Sequence, residues 1–99
     1  MKVIFAKEAE GDLENIGDYI ARNNPARARS FLAELRSAAK GLARFPMRYP
    51  ALPRYQSSGL HRRVYGHYHI IYTIESKRIN IVRSLHAARD YEALLFSDE

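Results

Sequence analysis

The sequence predicts an α+β domain in which a helix hairpin packs on one face of a small antiparallel sheet. Two observations lead to this class: apolar residues recur at helical spacing in the first half of the chain, and β-branched and aromatic residues are enriched from Leu60 onward. The expected order is β-α-α-β-β-β, followed by a short closing helix. Ninety-nine residues are enough for one domain with one core, spanning 1–99.

A first strand and a first helix are predicted from a change of period near the N-terminus. Residues 3–5 are a short apolar run that favours a strand. The next apolar residues recur at helical spacing: Ala9, Leu13, Ile16 and Ile20. Five acids lie within 8–18, where the dipole of a starting helix favours negative charge. We expect this helix to run from about Lys7 to Arg22.

A second helix is predicted directly after the first. Asn24 is a good N-cap, and Pro25 falls at the first helical position, where its missing N–H costs nothing. An apolar stripe follows, formed by Ala28, Phe31, Leu32, Leu35, Ala39 and Leu42. Gly41 weakens the helix and Phe45-Pro46 ends it. Because the connection is so short, the two helices must fold back as a hairpin.

A proline-rich loop separates the helices from the strands, and Tyr49 and Tyr55 are expected to anchor it. Three antiparallel strands are predicted at about 60–66, 68–74 and 79–85. One face of the central strand carries Tyr68, Ile70, Tyr72 and Ile74, and the other carries His69, Ile71 and Thr73. We expect Tyr72 to pack in the core. Residues 90–96 are predicted to form the closing helix.

Positive charge is concentrated in one part of the chain. The net charge is +5 at pH 7, but residues 22–63 hold ten bases and one acid, Glu34, a local balance of +9. A solvated, Arg-rich surface is one interpretation, and an acidic partner, either nucleic acid or an acidic protein segment, is the other. Twelve Arg against four Lys favour a specific interface, because Arg pairs bidentately with carboxylate and phosphate.

Several classes of chemistry are excluded by the composition. The sequence has no Cys, which rules out disulfides and thiol chemistry. It has no Gly-rich phosphate loop and no serine nucleophile elbow, and we expect no cofactor. The apolar run at the start is too short for a signal peptide or a membrane span. A soluble, cytoplasmic protein is therefore expected.

Four His occur between His61 and His86, and one pair has the spacing of metal ligands. His67 and His69 form an H-x-H pair that would lie on one strand face. No acid stands on the neighbouring predicted strands to complete a ligand set. We therefore favour half-exposed strand residues over a metal site.

The most promising cluster for chemistry lies in IVRSLHAARDYEALLF, residues 81–96. In a nuclease, Arg would stabilise the charge on a pentavalent phosphate, and His or Tyr would move protons. The catalytic candidates are Arg83, His86, Arg89 and Tyr91. Structural alternatives stand beside them. Arg83 is either buried and paired or at the sheet edge, His86 bonds to loop backbone, and Arg89 helps to start the closing helix.

Four segments carry a resemblance to a known family. DLENIGDYIARNNPARARSFLAEL resembles its helix hairpin, LARFPMRYPAL the exit from its second helix, GHYHIIYTI its Gly-x-Tyr strand, and IVRSLHAARDYEALL its C-terminal segment. Together, in this order, they resemble the RelE/ParE superfamily of type II toxin–antitoxin toxins, and its ParE branch in particular. The resemblance covers the chain nearly end to end.

The resemblance implies a toxin neutralised by a small acidic antitoxin that wraps an amphipathic segment over it. This hetero-oligomer would contact promoter DNA only through the antitoxin. ParE-type toxins are associated with inhibition of DNA gyrase, whereas RelE-type relatives cleave mRNA on the ribosome. The strands over 60–74 hold no Lys, and His69 stands where RNA-cleaving members carry an Arg. We therefore expect a gyrase inhibitor without enzymatic activity. The alternatives are a ribosome-dependent endoribonuclease and a weakly toxic member that acts only as an antitoxin partner.

Contacts with the antitoxin or the target are expected at Arg62, Arg63, His69, Arg83, His86, Arg89, Leu94 and Phe96. Arg83 and Arg89 are also expected to tie the last strand to the loop that follows it. No metal, membrane or small-molecule partner is expected.

Overall fold

A computed structural model describes residues 1–52, 59–89 and Leu95. Its helices and strands are β1 (Lys2–Phe5), α1 (Lys7–Ala21), α2 (Pro25–Lys40), β2 (His61–Tyr65), β3 (Tyr68–Glu75) and β4 (Arg78–His86). The two helices lie against a four-stranded sheet with the order β1-β4-β3-β2. The predicted α+β fold class is confirmed.

The sheet is mixed, which corrects the prediction of a purely antiparallel sheet. β3 runs antiparallel to both β2 and β4, but β1 runs parallel to β4, with Phe5 opposite Ile81. Alternation of apolar and polar residues reports which face of a strand is buried and carries no information about strand direction. The parallel direction of β1 could therefore be seen only in the three-dimensional structure.

The second helix is shorter than predicted. It ends at Lys40, and a 3₁₀ turn over Gly41–Ala43 continues the chain towards Phe45. Glycine lowers helix stability, and 3₁₀ bonds commonly tighten the last turn of a helix. Among the described residues, no helix is both long and apolar enough to cross a bilayer.

Asn24→Ala is expected to lower the free energy of unfolding by about 1 kcal/mol. The Asn24 side chain caps α2 and accepts a hydrogen bond from the backbone N–H of Arg27 at 3.0 Å. Asn23→Ala is the matched control, because Asn23 bonds to the Ile20 carbonyl through its backbone N–H, which alanine retains. Urea denaturation measures both, and equal losses would contradict the cap assignment.

The main core lies between the hairpin and the sheet, as the central-strand pattern predicted. Its fully or nearly buried members include Leu13, Ile16, Leu35, Leu42, Ile70, Tyr72, Ile79 and Ile81. On the opposite face of the sheet, Ile71 packs with Leu52, Leu60 and Leu95. Leu95 is the described residue of the predicted closing helix. The rest of 90–96, and Tyr55, lie outside the described residues.

A β-bulge interrupts the pairing of β3 with β4. Ile71 lies opposite Arg83, whereas the next residue, Tyr72, lies opposite Ile81, so Val82 is left over. An extra residue of this kind bends the strand and changes the direction of its side chains. The bulge lies one residue before Arg83, and the Arg83 side chain reaches helix α1.

Candidate functional site

A groove of about 650 Å³ lies between the helix hairpin and the ends of β3 and β4. Its apolar lining comes from all four elements and consists of Ile16, Ile20, Phe31, Tyr68 and Leu85. Tyr19 also lines the groove, and its side chain is 65% exposed. A partly buried apolar floor with an exposed aromatic beside it is suited to binding another protein segment.

Two His and one Arg meet at the strand end of the groove: His67, His86 and Arg89. The His86 ring packs edge-on against Tyr68, with ring centres 5.1 Å apart, and stacks on His67 at 6.1 Å. Its Nδ1 accepts a hydrogen bond from the backbone N–H of Ala88 at 3.0 Å. His86 therefore bonds to the loop backbone, as predicted, while its ring lines the groove.

The hairpin end of the groove holds a second cation. The Arg27 guanidinium lies 5.0 Å from the centre of the Phe31 ring and forms an ion pair with Glu34 at 2.6 Å. The Tyr65 hydroxyl donates to the same carboxylate at 2.9 Å. These hydrogen bonds, that of Arg27 first, lower the pKa of Glu34. Arg27 is thereby held in place over the apolar lining.

A buried ion pair lies at the edge of the groove. Arg83 donates from Nε and Nη2 to the two carboxylate oxygens of Asp12, both at 2.8 Å, and the hydrogen bonds raise the pKa of Arg83. The backbone N–H of Ser84 donates to the same carboxylate at 2.8 Å. The pairing of β1 with β4 stops before that point: its last pair is Phe5 with Ile81, the Ala6 N–H still donates to the Ile81 carbonyl, and α1 begins at Lys7. Asp12 thus bonds to the part of β4 that extends beyond β1.

Of the two roles predicted for Arg83, the structure confirms the buried and paired one. Its guanidinium ties β4 to α1, and not to the following loop as the sequence analysis expected. Asp12 was not singled out from the sequence, although a signal was present. It falls three residues after Ala9 and four before Ile16, on the apolar stripe of the helix, where a carboxylate requires a buried partner.

Arg63 is also engaged inside the fold. Its Nη1 donates to the Ala38 carbonyl at 2.7 Å, and its guanidinium lies 5.1 Å from the centre of the Tyr49 ring. Ala38 is among the last four residues of α2, whose carbonyls have no partner within the helix. Arg63 therefore fastens β2 to the end of α2.

His67 and His69 do not share a strand face, which corrects the prediction. β3 begins at Tyr68, and His67 lies in the turn before it and lines the groove. His69 lies within β3, opposite Val64 and Leu85. Over the described part of the chain, no three His, Cys, Asp or Glu side chains are grouped to hold a metal ion.

The structure thus separates the predicted site residues into four groups. His86 and Arg89 meet at the groove. Arg63 and Arg83 form contacts within the fold. Arg62 and His69 lie on neighbouring strands, half-buried. The predicted residues outside the described ranges are Tyr91, Leu94 and Phe96. Sequence reasoning missed Tyr19 and Arg27 and considered His67 only as a metal ligand, because the three groove residues come from different parts of the fold.

His69 is expected to make stability depend on pH. Burial, followed by the charges of Arg62 and His86, lowers the pKa of His69 below its usual 6.5. Below that value the unfolded chain binds more protons at this residue than the folded chain, so acidification lowers the free energy of unfolding. We expect a larger loss between about pH 7.5 and about pH 5.5 in the native protein than in His69→Gln. Urea denaturation at both pH values measures this, and identical losses would contradict it.

Comparison with known proteins identifies the family. The model for the ParE toxin of the type II toxin–antitoxin system, parDE, matches residues 3–91. The chain belongs to the ParE toxin family. The resemblance seen in the sequence motifs is therefore confirmed, and the protein is a type II toxin of this family. A search of curated proteins found no match.

Two solved structures are similar to this ParE-family toxin. One is from the chromosomal ParDE toxin–antitoxin system of P. aeruginosa, with a TM-score of 0.73 and 19% identity, covering 87% of this chain and 95% of that one. The other is from the RelBE2 toxin–antitoxin complex of Mycobacterium tuberculosis, with a TM-score of 0.66 and 27% identity, covering 86% and 95%. The first, at its low identity, shows the fold alone.

Proposed function

We propose that this ParE-family toxin is neutralised by a cognate acidic antitoxin and that the free toxin blocks replication by inhibiting DNA gyrase. The observation that carries the antitoxin half is the groove, with its apolar lining and its basic end. The gyrase half rests on the family and on the ion pair that engages Arg83, one of the catalytic candidates. Both activities belong in the cytoplasm, and promoter DNA is contacted through the antitoxin.

The chemistry of the groove fits an amphipathic segment. Apolar side chains of such a segment would enter between Ile20, Phe31 and Tyr68, as in helix-in-groove recognition. Its carboxylates would meet Arg89 at one end of the groove, whereas Arg27 at the other end already forms an ion pair with Glu34. Asp12 is the one acidic residue of the described lining, and Arg83 already pairs with it. The similar solved structure at 27% identity comes from a toxin–antitoxin complex, which further supports a protein partner.

Occupation of the groove is tested by reversing one charge. Arg89→Glu is expected to weaken binding of the antitoxin about tenfold or more, because it sets like charges against each other. Arg29→Glu is the matched control, since Arg29 is an exposed residue of α2 and is not among the described groove residues. Titration with the purified antitoxin measures both affinities. Equal affinity of the two variants would remove the groove as the antitoxin site.

The proposal of a gyrase inhibitor is supported by the state of Arg83. To stabilise a pentavalent phosphate, the Arg83 guanidinium would have to leave Asp12. The buried Asp12 carboxylate would then lose the cation that pairs with it. This argues against a nuclease that uses Arg83. A specific observation favours the alternative of an mRNA endoribonuclease, because His67, His86 and Arg89 converge at one end of the groove.

One pair of assays decides between the two activities. Purified toxin is added to a gyrase supercoiling reaction and, separately, to translating ribosomes with a defined mRNA. We expect loss of supercoiling with intact mRNA. Normal supercoiling at a large molar excess would remove the gyrase proposal, and mRNA cleavage that His86→Ala abolishes would replace it with the ribonuclease. Normal growth on expression without antitoxin would indicate a member that serves only as an antitoxin partner.

A further inference from the structure

Two large apolar side chains that are not part of the groove are exposed near each other in the sequence. Phe45 is 63% exposed and Met47 is 72% exposed, and only Pro46 separates them. A single exposed apolar residue is ordinary, but an exposed apolar cluster edged by polar groups marks an interaction surface. We name residues 44–48 the 44–48 knob.

The backbone under the knob is held in place. The buried Tyr72 hydroxyl donates to the Pro46 carbonyl at 2.9 Å. The Arg48 N–H donates to the Phe45 carbonyl at 3.1 Å, which closes a turn around Met47. The fold therefore fixes the segment while leaving Phe45 and Met47 exposed. A fixed segment loses little conformational entropy on binding, which favours affinity.

A second set of contacts holds the residue that follows the knob. The His61 ring lies with Nδ1 2.9 Å from the Tyr49 carbonyl, and the Arg63 guanidinium lies 5.1 Å from the centre of the Tyr49 ring. His61 in turn stacks on Tyr72 with ring centres 5.3 Å apart. Three side chains, Tyr72 of the core and His61 and Arg63 of β2, thus hold the segment that carries an exposed apolar pair, and this pair is not part of the main core.

Charge on the knob indicates what kind of partner fits it. Arg44 and Arg48 flank the apolar pair, and the five residues of the knob, which form the described lining of a depression of about 590 Å³, include no acid. The complementary surface is an apolar pocket bordered by carboxylates. A second copy of the chain is disfavoured, because a symmetric interface through the knob would bring the Arg44 and Arg48 side chains of both copies together.

We propose that the 44–48 knob is a docking surface of the toxin for its protein target, with Phe45 and Met47 as the anchoring side chains. The inference rests on the proposed function, in that gyrase is the target to be tested. The knob shares no described residue with the groove, so it is a second surface and not an extension of the antitoxin site. Aromatic side chains seated in pockets commonly carry much of the binding energy of an interface.

The test compares three purified proteins: native toxin, the double variant Phe45→Ser with Met47→Ser, and Val64→Ser. Val64 is the matched control because it is an exposed apolar residue, 56% exposed, on β2. We expect all three to keep the native circular dichroism spectrum and thermal midpoint, since none of these side chains is buried. The double variant should bind gyrase and inhibit supercoiling about tenfold or more less well, and Val64→Ser should match the native toxin.

The failures of the two proposals are distinguishable. If native toxin and the double variant inhibit gyrase equally, the knob proposal is overturned and the gyrase proposal stands. If native toxin arrests growth without binding gyrase, the gyrase proposal is overturned. The double variant then tests the knob: loss of growth arrest supports it as a target surface, and unchanged growth arrest overturns it. A native toxin that does neither overturns both. A dimer in light scattering that the double variant dissociates, or RNA binding that it loses, would also overturn the knob as a protein-target surface.

Discussion

Asp12→Ala is expected to lower the free energy of unfolding by about 3 kcal/mol, a large part of the stability of a domain of this size. The Asp12 side chain is 6% exposed and the Arg83 side chain is 18% exposed, so removal of the carboxylate leaves a largely buried cation unpaired. The Ser84 N–H loses its acceptor as well. Urea denaturation followed by circular dichroism measures the change.

Two further variants identify the cause of that loss. Glu10→Gln removes an ion pair from the same helix, but Glu10 and Arg36 are 48% and 43% exposed, so we expect a loss of about 1 kcal/mol or less. Replacing both residues of the buried pair, Asp12→Ala with Arg83→Met, should restore part of the stability because no unpaired charge remains. A double variant as unstable as Asp12→Ala would show that the unpaired cation is not the cause.

Tyr72→Ala is expected to lower the free energy of unfolding by about 3–5 kcal/mol. Tyr72 has no exposed surface, and it lies in the central strand between the hairpin and the loop of the knob. Burial, with a smaller effect of Tyr49, raises the pKa of its hydroxyl to about 12. The hydroxyl therefore stays protonated and continues to donate to Pro46 throughout the pH range used for assays.

Tyr72→Phe separates the ring from the hydroxyl. The ring still fills the core, so we expect a smaller loss of about 1–2 kcal/mol, caused by the Pro46 carbonyl that loses its donor. If the knob docks the target, Tyr72→Phe should also inhibit gyrase less well than native toxin when equal amounts of folded protein are compared. Thermal melting and supercoiling assays on the same preparation measure both. A loss equal to that of Tyr72→Ala would contradict the division between ring and hydroxyl.

The helices and the central strand could be predicted because their signals are local. Asn24 and Pro25 mark the start of α2, and the buried face of β3 follows from alternation around Tyr72. Each signal lies within a few residues of the element that it predicts, and burial of one face imposes its period on the sequence. The family could be identified for a related reason, since each of its motifs is one contiguous stretch of the sequence.

The site was only partly predictable because it is assembled from separate elements. His86 and Arg89 were found as candidates because they lie close together after a strand. Tyr19 and Arg27 belong to the hairpin, and no pattern in the sequence places them beside β4. The knob was likewise not predicted, because the sequence pattern at Phe45-Pro46 indicates only the end of a helix.

The sequence by itself determined the two helices of the hairpin, the buried face of the central strand, and the ParE family. Only the tertiary structure decided the parallel pairing of β1 with β4, the partner of Arg83, and the exposure of Phe45 and Met47. Asp12 and Arg83 are 71 residues apart, and their contact depends on a bulge and on where β1 leaves the sheet. Such contacts depend on the mutual positions of packed elements, which hydrophobic period does not encode.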